Sequence, residues 1–152
     1  MLTNFEIMQK RGENVFFFFE AEVSPFRNQK KLKSFIASIF RTEKTRLHTL
    51  NYVFSNDKTV YEINKRYLKH DYLTDIITFD LSEKGQPVTA EVYISLERVR
   101  ENALNNFTTL QSEIHRVIFH GALHLCGYND KNKTQRGKMR SREDYYLLKY
   151  FG

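Results

Sequence analysis

The stretch LQSEIHRVIFHGALHLCGYND, residues 110–130, decides how the chain folds. Set at 3.6 residues per turn, Ile114, Val117, Ile118, Ala122 and Leu125 cover one side, and Phe119, Leu123 and Cys126 cover much of the other. A helix that is apolar almost all round belongs inside a domain. Thr109 reads as its N-cap and Gly127 as its C-terminal stop. One narrow stripe departs from the pattern: Glu113, Arg116, His120 and His124 fall on one line, at spacings of three, four and four. Ionisable groups on a buried helix need water, mutual pairing or a metal to satisfy them.

His120 and His124 lie about 6 Å apart along the helix axis, within reach of one ion. Gly127 lets the backbone turn sharply, and Asp130 can swing back as a third ligand. Three protein ligands leave a position open for water, the arrangement of a catalytic rather than a structural site. The plainer alternative is two hydrogen-bonded histidines with Asp130 as a turn residue. The full H-x-x-x-H-x-x-G-x-x-D spacing on a buried helix favours one divalent metal ion. Zinc peptidases share this spacing but carry Glu directly after the first histidine, where it acts as general base. Here that position is Gly121. It removes the base and is expected to leave room beside the metal for a bulky substrate. Phosphodiester hydrolysis asks less of the protein, because the metal itself neutralises phosphoryl charge.

Outward from this helix, the sequence predicts strand, helix, strand, helix, strand, strand, helix, helix, helix. VFFFF (15–19) reads as a buried strand, and Ser24-Pro25 as the start of a helix carrying Leu32, Phe35, Ile36 and Ile39. TLNYVF (49–54) is a second strand. Ser55 or Asp57 caps a helix to about Leu68, with Val60, Ile63 and Tyr67 on its inner face. Ile76, Ile77 and Phe79 form a third strand, which pairs through the Ser82–Pro87 loop with EVYIS (91–95) as an antiparallel neighbour. Helices follow over 96–107, 110–126 and 134–150. The expectation is an α+β fold: one mixed sheet of about four strands packed by helices, with a zincin-like metal helix. At 152 residues the chain is one domain, 1–152.

HGALHLCGYND resembles the signature of the YbeY family of metal-dependent endoribonucleases, H-G-x-L-H-L-x-G-Y-D-H. INKRYLKHDYLTDIITFD (63–80) is similar to that family's Asn…Tyr-Arg…Thr-Asp-Val-Leu-Ser-Phe block, and AEVYIS (90–95) to its Gly-Asp-Ile-x-Ile-Ser strand. Together these blocks cover roughly half the chain, in register. The resemblance implies an α+β fold with a mixed sheet and a histidine-bound zinc-like ion. It implies cleavage of single-stranded RNA, maturation of the 3′ end of the small-subunit ribosomal RNA, and ribosome quality control. Its partners would be RNA and the ribosome or small subunit. Two positions depart from the family pattern. The third ligand is Asp130 where the family has His, and Leu68 stands where the family has an Arg thought to contact substrate.

Arg116, one turn before His120, is the candidate to supply positive charge near the metal; pairing with Glu113 as a structural link is the alternative. Lys131, Lys133, Arg136, Lys138, Arg140 and Arg142 follow the metal loop with no acid among them, and so are candidates for RNA backbone contact. Thr74 and Asp75 either line the cleft, as the resemblance implies, or form a turn-and-cap pair. His115 reads as a packed core histidine, His48 and His70 as residues at element ends, and Cys126 as core. The net charge of +6 agrees with a polyanionic partner. One cysteine, no visible signal peptide and no apolar run long enough to span a membrane point to the cytosol. A metallopeptidase-like hydrolase and a non-catalytic RNA-binding module with a structural metal are the rival readings.

Overall fold

The computed structural model describes residues 1, 3, 14–20 and 24–152. Its elements follow the expected order: β1 (Val15–Phe19), α1 (Gln29–Thr42), β2 (Leu47–Ser55), α2 (Asp57–Leu68), β3 (Ile76–Asp80), β4 (Val88–Ser95), α3 (Leu96–Asn105), α4 (Leu110–Leu125) and α5 (Lys133–Phe151). The sheet runs β1-β2-β4-β3. β1, β2 and β4 are parallel, and β3 pairs antiparallel with β4. Parallel neighbours need crossovers. Helix α1 makes the one from β1 to β2, and the path from β2 to β4 runs through α2 and β3. The fold is therefore α+β around a single mixed sheet, with β1 and β3 as its edge strands.

Strand alternation builds the core. Leu50, Tyr52 and Phe54 of β2 and Ala90, Val92 and Ile94 of β4 are buried. They pack in one cluster with Leu32, Ile36, Ile39 and Phe40 of α1 and with Ile114, Ile118, Phe119, Ala122 and Leu123 of α4. Helix α4 is thus the interior helix that its wheel predicts. The Thr109 side chain caps it by accepting from the Ser112 amide, and Gly127 takes a φ of +103° just past its end. The buried Tyr52 hydroxyl donates to the Ile118 carbonyl at 2.8 Å and ties the helix to mid-sheet. Burial raises that phenol's pKa far above its ordinary value, so it stays a donor.

The structure corrects several local readings. Helix α1 starts at Gln29 with Asn28 as cap, because the Ser24 hydroxyl instead closes a turn onto Phe26. Asn56, not Ser55 or Asp57, caps α2. On that helix Tyr67 is exposed and Asn64 is buried; the Tyr67 ring leans edge-on against Phe79 of β3. β1 is an edge strand, so its alternation leaves Phe18 half exposed rather than buried. Gly121 makes no room for substrate. It faces the sheet, and a Cβ there would lie 3.0 Å from Ile76 Cδ1 and 3.4 Å from Val92 Cγ1. The residue is small because helix and sheet approach closely at that point.

Candidate metal centre

The C-terminal half of α4 presents His120 and His124 to a cleft of about 690 Å³. Glu113, Arg116, His120 and His124 all line it, so the polar stripe of the helix wheel becomes its floor. Residues of α2, the following loop and β3 make one wall, and Asp130 with residues of α5 makes the other. After Gly127 the chain is pinned by the Tyr128 hydroxyl, which donates to Glu43 Oε1 at 2.7 Å. Two residues on, Asp130 Oδ2 lies 3.4 Å from His120 Nε2 and 3.4 Å from His124 Nε2.

These three residues offer ligand atoms within 4.8 Å of one another. An ion held tetrahedrally by imidazole and carboxylate at about 2.1 Å separates its ligand atoms by about 3.4 Å. The donor set and its spacing therefore fit a divalent metal, and among the described residues no other such group occurs. His120, His124 and Asp130 form a metal-binding triad.

The outer partners of the triad include one residue that the sequence reading missed. Glu143 of α5, almost fully buried, accepts from His120 Nδ1 at 2.8 Å and from Arg116 Nη1 at 3.0 Å. Burial pulls the His120 pKa down. The Glu143 bond and the charges of Glu143, Asp130 and Asp75 outweigh it, so the value stands above that of an ordinary histidine. With Nδ1 engaged by a carboxylate, Nε2 is the nitrogen left to face a metal. The only sequence signal for Glu143 was its place as the first acid after six bases.

Arg116 lies at the cleft, but its partners are Glu143 and, at 2.7 Å, Asp144; it does not pair with Glu113. Thr74 and Asp75 line the cleft. Burial lifts the Asp75 carboxyl above the usual range, against the pull of His120 and of Asn102, whose amide donates at 3.4 Å. Burial likewise raises Glu113. Of the basic run, Arg136 and Arg140 line the cleft, while Lys131 and Lys133 are exposed and stand outside its lining. Arg142 turns away and is bound to Glu43 at 2.7 Å. Leu68 lines the cleft with an apolar side chain; His70, expected only at an element end, and Tyr72 line it with ring side chains.

His115 is a core histidine, as expected. It is buried, its Nδ1 bonds the Gln111 carbonyl at 2.6 Å, and its ring packs on Phe26, Tyr150 and Phe151. Burial lowers its pKa and keeps it neutral. Cys126 packs against the core, where burial raises its thiol to about 11.

The family described as Endoribonuclease YbeY matches residues 18–151. The chain belongs to the YbeY endoribonuclease family. Among its relatives is Endoribonuclease YbeY of Cytophaga hutchinsonii, 39% identical over 137 residues, covering 90% of this chain and 96% of that one. Endoribonuclease YbeY of Flavobacterium psychrophilum is 42% identical over 121 residues, covering 80% and 86%. The solution structure of TM1509 from Thermotoga maritima superposes with a TM-score of 0.64 at 25% identity, covering 90% of this chain and 89% of that one. These relatives favour neither the peptidase nor the non-catalytic reading. No helix among the described residues is long and apolar enough to cross a membrane.

Proposed function

We propose that this metal-dependent endoribonuclease uses one zinc ion, held by His120, His124 and Asp130, to cut unpaired segments of ribosomal RNA. The substrate is the precursor of the small-subunit RNA near its 3′ end, met in the cytoplasm on the ribosome or its small subunit. The observation that carries the reading is the triad at the floor of an open cleft, in a chain whose relatives are endoribonucleases. Two nitrogens and one oxygen suit zinc. The ion would supply Lewis acidity and activate water.

The chain's own residues supply the rest. Glu143 orients His120, and Arg116, locked by Glu143 and Asp144, holds that carboxylate in place. Arg116 therefore acts on the centre through Glu143. Arg136 and Arg140, on the wall opposite β3, meet the RNA backbone, and Lys131 and Lys133 extend that charge beyond the cleft. Thr74 and Asp75 border the substrate. Burial holds the Asp75 carboxyl above the usual carboxylate range, as it does that of Glu113. No Glu follows His120, and the Gly121 position faces the sheet, so a peptidase base has no place here.

Purified protein should cut single-stranded RNA when zinc is supplied and stop on chelation. His120→Ala and His124→Ala should each abolish both zinc binding and cutting. Full cutting by both variants would overturn the proposal.

A further inference from the structure

Just past α2 the chain turns through Lys69, at a left-handed φ of 57°. It then runs along the cleft as His70-Asp71-Tyr72-Leu73 before β3. The backbone here is fastened. Asn64, 1% exposed, accepts from the His70 amide at 3.2 Å through its carbonyl and donates from its side chain to the Tyr72 carbonyl at 3.0 Å. The Tyr61 hydroxyl donates to Asp71 between them. One buried residue, through its backbone carbonyl and its side-chain amide, thus fixes the main chain on both sides of Asp71.

The side chains that this backbone carries are left in water. Tyr72 is 55% exposed, and His70 is exposed too. Their rings lie nearly parallel, 18° apart with centroids at 5.1 Å, and the Tyr72 hydroxyl meets His70 Nδ1 at 3.0 Å. Both rings line the same cleft as the metal triad. Large exposed aromatics usually cost a protein solubility, and a rigid pair at the rim of a functional cleft calls for a ligand.

We propose that His70 and Tyr72 form a stacking platform for one unpaired nucleobase of the RNA whose backbone lies over the metal centre. This rests on the endoribonuclease reading above and extends it to how substrate is held. Three observations support a base as the occupant. The platform is continuous with the metal cleft. The opposite wall carries Arg136 and Arg140 for phosphates. Leu68, beside the platform, offers apolar contact and no charge, so this wall grips by ring faces rather than by salt bridges. A base in a duplex already has both faces covered, and only a splayed base can stack on protein rings. The platform therefore selects single strands.

The test uses metal-free protein, which cannot cut, and a short single-stranded RNA carrying one 2-aminopurine. With the parent protein, binding should quench the fluorophore at one position along the strand. The double substitution His70→Ala, Tyr72→Ala should weaken binding about 10-fold or more and abolish that quench. Tyr72→Trp should restore both when paired with native His70. Zinc affinity, measured separately, should match the parent in every variant. Parent-like affinity and quenching in the double variant would overturn the platform alone. Failure of the parent itself to bind single-stranded RNA would overturn the platform and the endoribonuclease reading together.

Discussion

Arg142 and Glu143 are neighbours on α5, yet they serve different sides of the molecule. Arg142 reaches back to Glu43 at the end of α1, where Tyr128 and Tyr146 also donate to the same carboxylate. Glu143 faces the cleft and holds Arg116 and His120. Both carboxylates are buried, with side chains 8% and 5% exposed. All the partners of Glu43 are fixed donors, so it clamps two helices and the metal loop together. One partner of Glu143 is a histidine whose other nitrogen faces the metal position, so the same chemical group there tunes a ligand. What a buried carboxylate does is decided by what its partner's far side touches.

The widest break in this comparison should come from Glu143→Gln. Losing the carboxylate behind a ligating histidine should weaken zinc binding about 10–100-fold, read by competition with a chromophoric chelator. Glu43→Gln should act mainly on stability, costing about 2–3 kcal/mol in urea unfolding, as expected for charge-assisted bonds. Its zinc affinity should fall less than that of Glu143→Gln, since it touches the site only through Tyr128. A larger fall would erase the division between the two sides.

Acid sharpens the contrast. Burial alone would raise the Glu43 pKa, but the bonds from Tyr146, Tyr128 and Arg142 bring it below the ordinary 4.5. A carboxyl depressed on folding contributes stability above its unfolded pKa and loses it as pH falls through the folded value. The stability gap between parent and Glu43→Gln should therefore hold steady above 4.5 and close on further acidification, in urea titrations at stepped pH. The smallest effect concerns the basic run. Arg136→Gln should reduce the salt slope of single-stranded RNA binding by about 0.7, and Lys131→Gln with Lys133→Gln by less, because of these three only Arg136 lines the cleft.

Much of this was legible in the chain. The wheel of α4 gave burial, the polar stripe and the two histidine ligands, because helical periodicity is local. The β3–β4 hairpin was legible for the same reason. What stayed hidden depends on contacts far apart in sequence. Glu143 meets His120 from another helix, and Glu43 meets Arg142 across most of the chain. The sequence points Gly121 toward substrate because nothing local reveals that Ile76 and Val92 press on it. Tyr67 has the spacing of an inner residue, but Asn64 takes the interior because its amide is needed by the loop that follows.

The β3 edge of the sheet has a last consequence. Ile76, Ile77 and Thr78 of β3 border the cleft three in a row, just after Thr74 and Asp75 of the preceding loop. Side chains on a strand alternate, so an unbroken run means that main chain itself forms part of that wall. Contacts made by peptide groups survive side-chain replacement. An alanine scan through 74–78 will under-report this wall, and amide-to-ester exchange in a semisynthetic protein is the probe that can see it.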